Sequence, residues 1–180
     1  MSPSIVYFLL STPYFSNCSV AEVARFAATL QPKQIQAGWT IFQQGETADG
    51  WYLIESGLVR INHRTSSGMN YTLTELGERE SFGEMGMIDH SFRIASAVAL
   101  TTTRIWFLPT EIFESLLAEC NPVVVQLLRS ISVTQAKRLR ETTIVLRDLT
   151  DIGTQDVNES LGDLAPLDVN HIWMSGMTGL

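Results

Sequence analysis

One segment of this 180-residue chain gathers residue types that could hold a ligand. Phe82-Gly83-Glu84-Met85-Gly86-Met87-Ile88 is followed closely by Phe92-Arg93-Ile94-Ala95-Ser96. Gly83 and Gly86 have no Cβ, so backbone there can approach a bound group. Residues 84–88 can close one helical turn, and the free N–H groups at its start favour an anion. Arg93 offers a planar fork matched to phosphate oxygens. Glu84 is an acceptor at the same mouth, suited to a sugar hydroxyl. An anion site beside a hydroxyl acceptor points to a sugar phosphate. Taken singly, the same residues also fit an ordinary turn and a solvated arginine, and the surrounding spacing has to decide.

Other chemistries find less footing. His63, His90 and His171 are scattered, with no metal-ligand spacing, so no metal is expected and a metal-binding cupin loses support. Asp89-His90 and the distant serines make no nucleophilic triad. Glu111 and Glu114 read as first-turn helix charges rather than a catalytic pair. There is no Gly-x-x-x-x-Gly-Lys loop for nucleotide hydrolysis. No catalytic residue or cofactor is assigned, and the chain is expected not to be an enzyme. Cys18 and Cys120 cannot build a disulfide framework or a four-thiolate cluster, which suits a reducing, cytoplasmic setting.

Composition narrows the partners. Apolar residues make up 45% and charged ones 17%, enough to bury a core. The net charge is −7, and ten of the twelve basic residues are Arg, Lys33 and Lys137 being the two lysines. Broad binding to nucleic acid is not expected from that balance. No apolar run reaches the length of about eighteen residues for a membrane span. Ile5 to Leu10 is apolar but short, with no preceding Lys or Arg, and a secretory signal is not expected.

The elements that must position the special segment fall into regions. Residues 1–33 read as an N-terminal helical segment, broken at Thr12-Pro13, with Ser19 capping a second helix. Residues 34–108 read as strands punctuated by glycine. Val59 and Ile61 point to one face and Arg60, Asn62 and Arg64 to the other, and Ser66-Ser67-Gly68 makes a hairpin turn before Tyr71 and Leu73. Ile105-Trp106-Phe107-Leu108 is apolar on both faces and suits a strand covered on both sides. Residues 109–149 read as C-terminal helices: Pro109-Thr110 caps the first, and Asn121-Pro122 opens a long one reaching about Leu149. Residues 150–180 read as a loose acidic tail, with one short docked element around Ile172-Trp173. The expected fold is mainly β, a small jelly-roll barrel with N-terminal helices and a long C-terminal helix.

The order of blocks resembles the cyclic nucleotide-binding domain of bacterial catabolite-activator-type regulators, kinase regulatory subunits and gated channels. The matching stretches begin with Ser11-Thr12-Pro13-Tyr14-Phe15, Gly38-Trp39-Thr40-Ile41-Phe42 and Gln44-Gly45-Glu46. They continue with Trp51-Tyr52-Leu53-Ile54, Gly57-Leu58-Val59-Arg60-Ile61, Leu76-Gly77, Phe82-Gly83-Glu84 and Arg93-Ile94-Ala95-Ser96. The resemblance covers roughly residues 9 to 149. It implies that Glu84 accepts the ribose 2′-hydroxyl and that Arg93 binds the cyclic phosphate. Gly83, Gly86 and Ile94 match backbone contacts, and Ser96 a small hydroxyl beside them. Two positions depart from the family: Phe92 stands where Pro is common, and Gly86 where Ala is common.

The ligand the resemblance implies is cAMP, with cGMP the alternative. cGMP-selective relatives carry Thr after the Arg, and here that residue is Ile94. Thr142 and Thr143 match paired hydroxyls that contact adenine; they also read as two solvent-facing helix residues. Leu128, Ser132, Gln135, Leu139, Thr142, Leu146 and Leu149 recur at spacings of four and three, a seam that could pair two chains. The competing reading packs those leucines on the chain's own β core. The function expected is a cAMP sensor that signals through its C-terminal helix, without its own DNA-binding domain, its effector unnamed. The alternatives are a truncated cAMP-responsive transcription factor and a non-binding scaffold.

Overall fold

The computed structural model describes the backbone of residues 3–160 and the side chains of residues 5–144. The elements follow in the order α1 (Pro3–Leu10), α2 (Val20–Ala27), β1 (Gln31–Ile35), β2 (Thr40–Phe42), β3 (Gly50–Ser56), β4 (Val59–Arg64) and β5 (Asn70–Leu76). Then come β6 (Ser81–Phe82), α3 (Glu84–Asp89), β7 (Ser96–Ala99), β8 (Thr103–Pro109), α4 (Thr110–Ala118) and α5 (Pro122–Ser160). The strands form two antiparallel sheets, ordered β1-β8-β3-β6 and β2-β7-β4-β5. This is the jelly-roll architecture expected for the chain.

Strand period dictates where the core sits. On β3, Trp51 and Leu53 face the helices, while Tyr52 and Ile54 face the other sheet. On β8, Leu108 joins the helical side, and Ile105 and Phe107 the inter-sheet side. The first sheet is therefore covered on both faces, as the run Ile105 to Leu108 requires. Its outer face packs against α1, α2, α4 and the start of α5 through Leu9, Phe15, Phe26, Phe113 and Leu127. Ser19 caps α2 in a reciprocal box with Glu22, which fixes the entry of that helix. The Ser19 bonds hold the Glu22 carboxyl below its ordinary pKa.

Three local expectations need correction. The first strand begins at Gln31, not Gln34, despite Pro32. Proline is tolerated because β1 is an edge strand, where one side of its ladder goes unused. Thr110 does not cap α4: Pro109 holds the cap position without a side-chain bond, and the buried Thr110 hydroxyl has no hydrogen-bond partner. Helix α5 runs past Leu149 to Ser160. Gly153 costs a helix only about 1 kcal/mol relative to Ala, too little to end it, and no proline intervenes. The first eleven residues of the expected acidic tail are therefore helical. Ile172-Trp173 lies outside the described residues.

By internal contacts the chain divides into two compact units, Met1–Thr134 and Gln135–Leu180. In the first, α5 contributes Val123, Val124, Leu127 and Ile131 to the core, with Leu128 partly buried beside them. In the second, Leu139 and Ile144 are exposed.

Candidate functional site

The site is assembled between β6 and β7. Gly83 sits at φ +84°, ahead of α3, in the left-handed region that a side chain disfavours. A Cβ there would also lie 2.7 Å from Arg93 Nη1. Gly83 therefore has to be glycine twice over. Gly86 is required for a different reason: its Cβ would fall 2.5 Å from the Ala48 Cβ and 2.8 Å from the Ser91 carbonyl oxygen. The departure from alanine at this position is thus matched to Ala48 in this chain.

Arg93 is 4% exposed and Glu84 6%, so both charges lie inside the fold. Arg93 Nη1 donates to the Gly83 carbonyl at 2.7 Å. Nη2 donates to Asp49 at 2.6 Å and to the Gly50 carbonyl at 2.9 Å. Nε is buried without a hydrogen-bond partner. The guanidinium lies 4.1 Å from the Phe42 ring centroid and 5.5 Å from that of Tyr52. The Tyr52 hydroxyl donates to Asp49 at 2.9 Å. Burial, with the Asp49 charge behind it, pushes the Tyr52 pKa far above its ordinary value of 10, so the phenol stays protonated. One carboxylate thereby orients both a cation and a phenol.

The backbone around Arg93 is held from outside. Arg93 N–H donates to the Glu46 carbonyl and Gly45 N–H to the Arg93 carbonyl, each at 2.8 Å. Gln44 N–H donates to the Ser96 hydroxyl at 2.9 Å. The Gln44 carboxamide meanwhile brackets the Arg64 peptide, accepting at 2.7 Å and donating at 3.0 Å. His63 Nδ1–H donates to the Ile94 carbonyl at 3.0 Å. Phe92 projects outward while its backbone bridges Thr47, an anchor that does not need the common proline.

The structure brings Gly83, Glu84, Gly86, Arg93, Ile94 and Ser96 into one neighbourhood. Thr142 and Thr143 belong to the second unit, where their hydroxyls donate to the Arg138 and Leu139 carbonyls of the preceding turn. Sequence reasoning missed Asp49, and it placed Gln44 within a matching stretch without giving it a role. The available signal was an acid just ahead of β3 and an amide just ahead of the Gly45 turn. Neither hints at a partner that lies 44 residues from Asp49.

A family model for the cyclic nucleotide-binding domain matches residues 32–120. Residues 32–120 belong to the cyclic nucleotide-binding domain family. Over 140 residues the chain is 34% identical to a CRP-like cAMP-activated global transcriptional regulator of Mycobacterium tuberculosis, covering 77% of this chain and 61% of that one. The chain therefore spans about three fifths of the length of that relative. A catabolite activator protein from Thermus thermophilus superposes with a TM-score of 0.69 at 33% identity, over 77% of this chain and 63% of that one. A cyclic nucleotide-binding domain from Methylobacillus flagellatus gives 0.71 at 22% identity, over 91% and 88%, and shares the fold.

Among the described residues no group of three or more His, Cys, Asp or Glu could hold a metal. His63 is used on a backbone carbonyl, and His90 faces Glu114 at 3.7 Å. Cys18 and Cys120 are free thiols. Among the described residues no single helix is long and apolar enough to cross a membrane.

Proposed function

We propose that this chain is a cAMP sensor. The observation that carries the reading is Arg93: a buried guanidinium with both Nη groups engaged and Nε left without a partner. A buried donor without an acceptor costs about 1–3 kcal/mol, a cost that a bound phosphate oxygen would relieve. In this reading Arg93 takes the cyclic phosphate and Glu84 the ribose 2′-hydroxyl. Backbone at Gly83, Gly86 and Ile94, with the Ser96 hydroxyl, lines the sugar and phosphate. The family resemblance also gives Thr142 and Thr143 to the base. Ile94 cannot give guanine the side-chain hydroxyl that cGMP-selective relatives use, which supports cAMP over cGMP.

The output proposed is ligand-coupled pairing of two copies through α5, for which the exposed Leu139 and Ile144 give apolar surface. Ligand and pairing would then favour each other by the same factor. The M. tuberculosis relative is named as a cAMP-activated transcriptional regulator, and the 61% coverage of that protein favours a second reading, the sensing part of such a regulator.

Calorimetric titration with cAMP and with cGMP tests the proposal. Tighter cAMP binding by the parent protein, and its loss in Arg93→Ala, is the expected result. Tighter cGMP binding, or an Arg93→Ala variant that binds as well as the parent, overturns it. Sedimentation with and without cAMP tests the pairing, and a monomer in both states rules it out.

A further inference from the structure

Lys33 is a cation in an unexpected place. It lies on β1 opposite Ile105, a buried member of the inter-sheet cluster, and paired strand residues share a face. Its Nζ stands 3.5 Å from the Phe107 ring centroid and 5.4 Å from that of Tyr52. The Tyr52 ring is the same one that lies 5.5 Å from the Arg93 guanidinium. Among the described residues Lys33 has ring contacts and the field of Asp49, but no hydrogen bond or ion pair to its ammonium. The side chain is partly buried along these rings, and its three donors find no protein acceptor among those residues. Burial lowers its pKa, and the Asp49 charge pulls it part of the way back.

Asp49 ties these groups together. It accepts from Arg93 Nη2 and from the Tyr52 hydroxyl, and it is half exposed. An anion arriving at Arg93 meets a guanidinium whose field is largely cancelled by Asp49. A second positive charge over the ring of Tyr52, whose hydroxyl bonds Asp49, adds to that field. We infer that Lys33 sets the affinity of the anion site by offsetting Asp49, so that Arg93 keeps its charge for a bound phosphate. Lys33 acts through Asp49 and Arg93 and is a positioning residue rather than a ligand contact. The cost of holding it half-buried is the cost of a site that attracts an anion while its own carboxylate stays in place to orient the fork.

This inference rests on the cyclic nucleotide reading and is tested with cAMP as the probe. Calorimetry of Lys33→Met in the full chain should show cAMP affinity lowered roughly fivefold to twentyfold, the reach of one unit charge across a partly desolvated interior. Lys33→Arg, which keeps the charge over the rings, should stay within about threefold of the parent. Without ligand, Lys33→Met should melt at the parent temperature or above it, because an unbonded cation has been replaced by an apolar chain. A purely structural lysine gives the opposite pattern, lower stability with unchanged affinity. That pattern, or a Lys33→Met variant that binds cAMP as tightly as a cAMP-binding parent, overturns this inference alone. A parent that binds no cyclic nucleotide overturns the proposed function and this inference with it.

Discussion

Trp51 and Tyr52 are neighbours on β3, and both are essentially buried, yet they look out on different chemistry. Trp51 meets Tyr14 and Phe15 edge-on and belongs to a cluster built with α1, α2, α4 and the start of α5. Among the described residues the cation–ring contacts fall on Phe42, Tyr52 and Phe107, and none on Phe15 or Trp51. Tyr52 stacks on Phe82 at 5.1 Å and packs on Phe42 and Phe107, but its cluster is threaded by Arg93, Asp49 and Lys33. Charges in an aromatic interior oppose folding unless they are bonded. The helical side of the sheet supplies stability, and the inter-sheet side gives some of it up to keep donors ready for an anion.

The largest effect should come from the helical side. Phe15→Ala empties a fully buried position between Phe26 and Trp51 and should destabilise by about 3–5 kcal/mol in urea unfolding. cAMP affinity of the folded fraction should not change, and a matching loss of affinity would break the division between the two sides.

Arg93→Ala comes next and should act twice. Binding should fall by roughly 2–5 kcal/mol, as for a truncated charge pair. Stability should also fall, by about 1–3 kcal/mol, because the Gly83 and Gly50 carbonyls lose their donor. An unchanged urea midpoint would show that Arg93 serves the ligand alone.

Gly86→Ala sharpens the comparison at the cassette itself. The added methyl meets Ala48 and the Ser91 carbonyl, and should cost about 1–3 kcal/mol of stability. Ala48→Gly in the same chain should recover part of the loss, and a double-mutant cycle with zero coupling would refute the contact. Ile94→Thr should have a smaller effect, narrowing the preference for cAMP over cGMP by about 1 kcal/mol through one new hydroxyl bond. An unchanged ratio of the two affinities would remove Ile94 from base selection.

The smallest effect concerns Lys33 and pH. Its pKa is lowered in the fold, so between that value and the ordinary 10.5 the unfolded chain holds the extra proton. Stability contributed by this group therefore rises as pH climbs through that window. Tyr52 stays protonated there, since its own pKa is pushed well above 10. The stability gap between Lys33→Met and the parent should shrink as the pH approaches 10.5. A gap that widens on going alkaline would contradict the desolvated position of Lys33.

Much of the cassette is legible in one dimension because its demands are local. Gly83 needs a positive φ, Glu84 must follow it directly, and Arg93 must return after a short loop. Such requirements leave residue types at fixed spacings. The both-sides-covered strand at Ile105 to Leu108 is legible for the same reason, since period two and apolar type are properties of the strand itself. The start of β1 is not. Pro32 argues against a strand, and only the edge position in the sheet overrides it.

What the sequence determines by itself is therefore each residue's local conformation and chemical type: a left-handed glycine, a planar cation, an alternating strand, a capped helix. The tertiary structure decides which of these meet. Asp49 faces Arg93 across 44 residues, Gln44 brackets Arg64, and Ala48 fills the space that makes Gly86 obligatory. Lys33 stands over Phe107 because β1 pairs with β8 rather than with a neighbour in sequence. Local rules act through bonds and sterics within a few residues, whereas charge balance acts through space and depends on where the two sheets bring their strands together.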